Sequence, residues 1–304
     1  MKVLLIGFGS IGKRHYEILN SIKAINEIHV VTKQNLENIV HFKNIEEVNN
    51  IQIYDYFIIA SETAKHFQQL NYLNKHVSSK KILVEKPLFE RTYNLDNPIK
   101  NSIFIAYNLR FHPLLQKLAN ITSNEEVYYV NVICGQYLPT WRPGRDYRVS
   151  YSAEIKRGGG VLRDLSHELD YIEWLFGKLQ NLKTINTKIS DLEINSDDIF
   201  TAIGTTDKNT IINISIDYIS KSPLRRIIIH TKNRTIEADI IKNSISICDK
   251  ECQTEYFDYE DLERNHTYRI MHEKIIHDSL DNICTYEEGL NIVRLIEQTK
   301  FIKV

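Results

Sequence analysis

The hexapeptide Gly7-Phe8-Gly9-Ser10-Ile11-Gly12 leaves this chain fewer folds than any other segment does. It reads G-x-G-x-x-G, directly after the apolar run at residues 3–6 and directly before an amphipathic stretch at 11–25. In that strand–turn–helix setting the first glycine permits a tight turn. The second lets a pyrophosphate approach the backbone, and the third lets the helix pack closely on the strand. The helix start adds unpaired N–H groups and a partial positive charge. Gly7, Gly9, Ser10, Ile11 and Gly12 are the expected phosphate contacts.

Further apolar runs at 28–31, 56–60, 82–84 and 103–106 have the length and β-branched content of buried parallel strands. Helical spacing fills 64–75 and 113–121 between and after them. This alternation predicts an α/β Rossmann domain over residues 1–120. From about residue 122 the pattern changes. A strand is predicted at 127–134, a Pro/Gly/Arg-rich loop at 139–160, and one helix at 162–176 ended by Gly177. Successive β-type runs follow at 199–203, 210–218, 226–231, 235–240 and 244–247. They predict an α+β C-terminal domain, 121–304, with a mostly antiparallel or mixed open sheet. Helical tail segments at 261–283 and 286–301 are expected to pack back on the body.

Composition excludes several functions. A net charge of −1 gives no global pull toward nucleic acid or an anionic membrane. No run approaches the ~20 apolar residues of a membrane span, and Gly7 and Gly9 interrupt the N-terminal apolar run too early for a signal peptide. A cytoplasmic protein is expected. Cys134, Cys248, Cys252 and Cys284 lack zinc-site spacing and read as reduced thiols, with no metal.

An acid some 20 residues past the glycine motif would grip the ribose hydroxyls of NAD. Here the second strand ends in Val31-Thr32-Lys33-Gln34. A hydroxyl and a cation, Thr32 and Lys33, suit a 2′-phosphate, so NADP is favoured over NAD. Lys33 as a solvated loop residue, with both cofactors accepted, is the alternative.

The remaining marks come as a set: Lys13-Arg14-His15 after the glycines, Ile59-Ala60-Ser61-Glu62-Thr63 with His66, and Glu85-Lys86-Pro87. To these add Tyr107-Asn108-Leu109-Arg110-Phe111-His112-Pro113 and the run from Gly158-Gly159-Gly160 through Asp164, His167 and Asp170. Together they resemble the glucose–fructose oxidoreductase, inositol dehydrogenase and rhizopine-catabolism family (Gfo/Idh/MocA) over nearly the whole chain. The resemblance implies an enzyme, an NAD(P)-dependent dehydrogenase or reductase acting on CH–OH groups of a sugar-like small molecule. It implies Lys86 at the reacting carbon and His167 as proton acceptor, with Ser61, Thr63, His66, Glu85 and Lys86 at the cofactor and Asn108 and Arg110 at the substrate. The proline after Lys86 restricts that lysine to extended backbone. An imidazole titrates near working pH, which suits His167 to its role. Asp164 lies three residues earlier, on one face of the predicted helix. It either orients the site or shares the proton; the common pattern spaces the pair by four, and Asp170 and Glu168 are available substitutes.

Residues 139–163 carry Arg142, Arg145, Arg148, Arg157 and Arg163 among Trp141, Tyr147 and Tyr151. Guanidinium forks suit carboxylate or phosphate, and aromatic rings suit sugar faces. Arg142, Arg145, Tyr147 and Arg148 are expected to bind an anionic or nucleotide-linked sugar. A solvated loop with ion pairs to Asp146 and Glu154, or a subunit contact, is the other reading. The tract is similar to members that act in surface-sugar synthesis. A homo-oligomer, dimer or tetramer, is expected. Two other functions stay open: a dinucleotide-sensing regulator without turnover, and a redox-recycling epimerase or glycosidase with a tightly held cofactor.

Overall fold

A computed structural model describes residues 1–259 and 262–302. The chain divides into two compact units, Met1–Phe111 with Arg264–Arg294, and His112–Glu263 with Leu295–Val304. The first break thus falls nine residues before the expected one at 120, and the segment 264–294 joins the N-terminal unit.

The first unit is built on β1 (Lys2–Ile6), β2 (Glu27–Val31), β3 (His41–Phe42), β4 (Tyr56–Ile59), β5 (Lys81–Val84) and β6 (Ser102–Ile105). They lie in the order β3-β2-β1-β4-β5-β6, every neighbouring pair parallel. That is the doubly wound dinucleotide-binding order. Cys284–Thr285 adds an antiparallel strand beyond β6. All four residues of β4 are buried, as in a sheet covered on both faces. Helix α1 (Ser10–Asn20) buries Gly12, His15, Ile18 and Leu19 on one stripe. The helix His266–Ile276 packs on α1 and on the 3₁₀ turn Asn108–Phe111, and Met271 and Ile275 join the core around Val3, Leu5 and Ile58. Helix α2 (Thr63–His76) follows β4.

The second unit holds α3 (Pro113–Thr122), β7 (Val127–Gly135), α4 (Leu138–Trp141), α5 (Val161–Asp164) and α6 (His167–Phe176). The strands β8 (Leu179–Thr187), β9 (Ile199–Thr206), β10 (Ile211–Asp217), β11 (Leu224–Thr231), β12 (Thr235–Asp239), β13 (Ser244–Cys248) and β14 (Thr254–Asp258) complete it. The sheet order is β14-β13-β12-β11-β7-β10-β9-β8, closed by Phe301–Ile302 beside β8. Pairs are antiparallel except β7/β10 and β8 with Phe301–Ile302, so the sheet is mixed. Burial alternates along β10, with Ile212, Ile214 and Ile216 inside, and α6 packs on β7. On the other face Ile185, Ile203 and Ile211 are exposed on neighbouring strands.

Three expectations are corrected here. The single helix at 162–176 is two, α5 and α6, separated at Leu165 and Ser166. The join is tightened by bonds of the i→i+3 kind, Ser166 N to Arg163 O (3.4 Å) and Glu168 N to Leu165 O (3.3 Å). The tail helix expected from residue 261 begins outside the described residues; the described helix runs His266–Ile276 and stops before Asp278, whose φ is 56°. The last helix, Tyr286–Gln298, ends short of 301, and Phe301 pairs in the sheet instead.

Candidate functional site

One row of aligned residues builds the edge that carries the predicted site in the first unit. Val31, Ile6, Ile59, Val84 and Ile105 stand side by side across the parallel sheet. The residues after them, Thr32, Gly7, Ala60, Glu85 and Ala106, therefore leave the sheet along one edge. Backbone bonds fix this: Gly7 N to Val31 O (2.9 Å), Ala60 N to Ile6 O (2.7 Å) and Glu85 N to Ile59 O (2.8 Å). The carboxyl edge of such a sheet is where a dinucleotide lies in this architecture.

The three motif glycines are needed for different reasons. Gly7 sits at φ 100°, and a Cβ there would press on the carbonyl of Ala60. A Cβ on Gly12 would run into the Gly7 carbonyl oxygen. Both are demands of the protein on itself. Gly9 differs, because a Cβ there would meet no atom within 4 Å. Its missing side chain leaves open space beside the start of α1, where no side chain caps the helix and no acid lies in the first turn. Ser10 and Ile11 open that turn. Space plus free donors fit a pyrophosphate, so the residues present fit a dinucleotide.

Thr32 is buried and its hydroxyl accepts from Gln34 N (3.2 Å). Gln34 Nε2 donates to the Phe8 carbonyl (2.9 Å), tying this loop to the glycine turn. Lys33 is exposed. Lys43, which sequence reasoning missed, donates to Lys33 O and Gln34 O (3.3 Å each) and to Asn35 Oδ1 (2.5 Å). Two lysines thus serve a loop whose residues 32–36 contain no acid.

Lys86 is half-buried at the end of β5, with a cis peptide to Pro87. Glu85 accepts the Lys86 N–H at Oε2 (3.2 Å) and faces His15 Nε2 with Oε1 (2.9 Å). Thr63 opens α2, and the Ser61 hydroxyl donates to Gln69 (2.7 Å). Three residues expected at ligands face inward. His66 is 1 % exposed, its ring nitrogens set against the carbonyls of Ser61 (3.2 Å), Pro87 (3.2 Å) and Leu88 (3.1 Å). Burial holds its pKa below the usual imidazole range, although the carbonyls oppose that. It braces the Ser61 turn against the segment after Lys86. Asn108 donates to the Thr267 hydroxyl (2.6 Å), and the buried Arg110 pairs with Glu288 (3.0 Å). Both tie the 3₁₀ turn Asn108–Phe111 to the 264–294 segment, and their expected role at the substrate is a proposal beside those bonds.

In the second unit Asp164 and His167 fall on different helices, so they do not share a helical face as expected. Asp164 is buried, and its Oδ2 accepts from Ser152 Oγ and Tyr218 OH, both at 2.6 Å. Those bonds hold the end of α5 in place. Burial, with the Asp164 charge, pushes the Tyr218 phenol far above its ordinary range, so it remains a donor. His167 begins α6. The arginine stretch encloses a cavity of about 410 Å³, lined among others by Trp141, Arg142, Arg145, Tyr147, Tyr151 and Arg157. Arg142 donates to Tyr151 OH (3.1 Å) and lies over the Trp141 and Tyr151 rings. Arg148 is not part of that lining; it pairs with Asp146, which is part of it (2.9 Å), and with Glu193 (3.1 Å).

Residues 1–98 match a family model described as oxidoreductase family, NAD-binding Rossmann fold, and residues 120–300 match the C-terminal alpha/beta domain of the same oxidoreductase family, GFO_IDH_MocA. An uncharacterised oxidoreductase of Synechocystis sp. is 26 % identical over 148 residues, which span 46 % of this chain and 39 % of that relative's length. Among solved structures, UDP-N-acetylglucosamine 3-dehydrogenase from Acidithiobacillus ferrooxidans aligns with a TM-score of 0.75 at 18 % identity, over 98 % of this chain and 96 % of its own. The WlbA dehydrogenase from Bordetella pertussis, in complex with NADH and UDP-GlcNAcA, gives 0.79 at 15 %, over 98 % and 93 %. A super-repressor mutant of Gal80p from Saccharomyces cerevisiae gives 0.84 at 15 %, over 98 % and 94 %. At these identities the likeness is one of fold.

The glycine geometry separates fold from binding. Gly9→Val is expected to keep its thermal midpoint within a few degrees of wild type and to lose NADP(H) and NAD(H) binding in calorimetric titration. Gly12→Ala should instead lose about 1–3 kcal/mol of stability from overpacking, read by urea unfolding. Wild-type dinucleotide affinity in Gly9→Val would remove the pyrophosphate assignment.

Proposed function

The chain belongs to the Gfo/Idh/MocA oxidoreductase family, and on that premise we propose that it is an NAD(P)-dependent dehydrogenase acting on a carbinol carbon of a sugar or sugar derivative. One observation carries the reading: open space at Gly9, the uncapped start of α1 and the Lys86 strand end belong to one edge of one parallel sheet. The nicotinamide, when bound, supplies the hydride chemistry. The protein must manage the hydroxyl proton. Lys86 Nζ donates a hydrogen bond to the substrate oxygen and stabilises charge that builds there. The His167 imidazole accepts the hydroxyl proton in oxidation and returns it in reduction. Asp164 has a positioning role, because its Oδ2 already accepts two hydroxyl bonds.

The substrate side of the proposal rests on the cavity with Arg142, Arg145 and Arg157 among aromatic rings, which suits a sugar derivative that carries phosphate or carboxylate. The names of the similar UDP-sugar dehydrogenases make UDP-N-acetylglucosamine the first probe. Lys86 and His167 together favour turnover over a purely sensing role. The uncovered isoleucines on β8, β9 and β10 support self-association through that sheet face, as a dimer or tetramer. Light scattering is expected to give a multiple of 35.6 kDa, and Ile203→Asp should shift it toward monomer. A monomeric wild type would end that reading. No helix among the described residues is long and apolar enough to cross a membrane.

We further propose that NADP(H) is preferred, on the two lysines at the loop after β2. Lys33→Ala is expected to weaken NADP(H) more than NAD(H) by roughly tenfold to a hundredfold, the worth of a bond to a charged group at about 1.5–3 kcal/mol. Tighter NAD(H) than NADP(H) binding by wild type would reverse the preference.

For the chemistry, Lys86→Met and His167→Asn should each lower kcat by at least about 10² in nicotinamide-absorbance assays. The two losses should combine less than multiplicatively, since both groups act on one hydroxyl of the substrate. Near-normal transfer in either variant would take that residue out of the mechanism.

A further inference from the structure

Four buried titratable side chains of the first unit form a single hydrogen-bonded line that ends beside Lys86. Tyr56 OH lies 3.0 Å from His272 Nδ1, His272 Nε2 lies 2.8 Å from His15 Nδ1, and His15 Nε2 lies 2.9 Å from Glu85 Oε1. Tyr56, His15 and His272 are wholly buried. They come from β4, α1 and the His266–Ile276 helix, and His15 and His272 are 257 residues apart in sequence.

The chemistry of the two ends sets the direction of the protons. A carboxylate can only accept, so His15 Nε2 carries the hydrogen that faces Glu85. At the far end burial pushes the Tyr56 phenol well above its usual range, so it keeps its proton. Among the described residues the Tyr56 hydroxyl bonds only to His272, so it must donate there, and His272 Nδ1 is bare. Burial first, and then the neighbouring His15, holds His272 well below the ordinary imidazole range, so it is neutral. Its one hydrogen is on Nε2 and points at a bare His15 Nδ1. Each link then has one donor and one acceptor.

Such a line is a costly way to fill a core. Buried polar groups compete poorly with well-packed apolar ones, and a half-satisfied network is worse still. What the line delivers is a fixed donor at Glu85 Oε1, which leaves Oε2 turned to the Lys86 backbone N–H. We propose that His15 and His272 are positioning residues for Lys86, acting through the Glu85 carboxylate to fix where the lysine side chain leaves the strand. The functional meaning rests on the reading of Lys86 given above; the line itself does not.

Two measurements without substrate test it. With ¹⁵N-labelled histidine, His15 and His272 should each show a protonated Nε2 and a bare Nδ1 at neutral pH. An imidazolium signal from either ring, or a hydrogen on His272 Nδ1, overturns the proposal even if no variant folds. In the second, amide exchange of Lys86 is followed in variants. His15→Phe keeps an aromatic ring but no donor, and should speed exchange roughly tenfold or more. His15→Gln supplies a donor and an acceptor again and should restore protection to within about threefold of wild type. Packing alone predicts the reverse order, with Phe the better replacement. Wild-type exchange in His15→Phe, or no recovery in His15→Gln, would overturn the proposal. Normal turnover in Lys86→Met would remove Lys86 from the chemistry and leave both readouts unchanged, so the two failures are distinguishable.

Discussion

The closeness of three backbone segments governs the first unit. Gly12 lies against the Gly7 carbonyl, and Gly7 lies against Ala60 and Ser61. No side chain fits in either gap, so α1 is drawn onto the sheet at one height and one rotation. That rotation decides which helix face is buried, and His15 is on it, three residues after Gly12. It also decides where the free N–H groups of the first turn point. The row of strand ends then carries the groups proposed to meet a ligand: the loop of Thr32 and Lys33, the Ser61 turn, and Glu85-Lys86. Van der Waals exclusion at two glycines therefore sets the start of α1 against groups that follow three strands, β2, β4 and β5.

How much of this could be read from the sequence depended on how local the cause was. The five longer parallel strands were legible because each carries an apolar run, broken only by His29 in β2, and α1, α2 and α3 because their burial has helical period. β3 is two residues long, and β14 is almost wholly exposed, so neither has a pattern to read. β8, with Lys183 and Gln180 among its threonines and asparagines, alternates too weakly. The join at Leu165 and Ser166 was invisible because it depends on Ser152 and Tyr218, twelve and fifty-four residues from Asp164. The internal bonds of His66, Asn108 and Arg110 were not legible for a related reason: a motif marks a residue as needed without saying whether a ligand or the protein needs it. His15 was visible as part of the glycine run, but its partners Glu85 and His272 are joined to it only by the fold.

The second unit shows where family membership stops being informative about chemistry. Its mixed sheet and the pair α5 and α6 are framework, and the matched models reach across them. The cavity among Trp141, Arg142 and Tyr151 is set by side chains of one irregular loop, held by aromatic–guanidinium contacts more than by regular structure. Loops of this kind vary more readily than the elements that carry them. On the proposed function, specificity is written in the part of the chain that the fold constrains least.

The antiparallel strand Cys284–Thr285 and the helix His266–Ile276 have a consequence for how the protein is made. The ribosome delivers the first 111 residues well before these pieces, yet the sheet is not edged and α1 is not covered until they arrive. During that interval the helix face bearing Ile18 and Leu19 lacks Met271 and Ile275, and Tyr56 has no imidazole to receive its hydroxyl. A nascent first unit of this chain thus waits, with that face of α1 uncovered, while residues 112–263 are synthesised. The order of translation makes the first unit one of the last parts of the molecule to be completed, although its glycine motif is among the first to emerge.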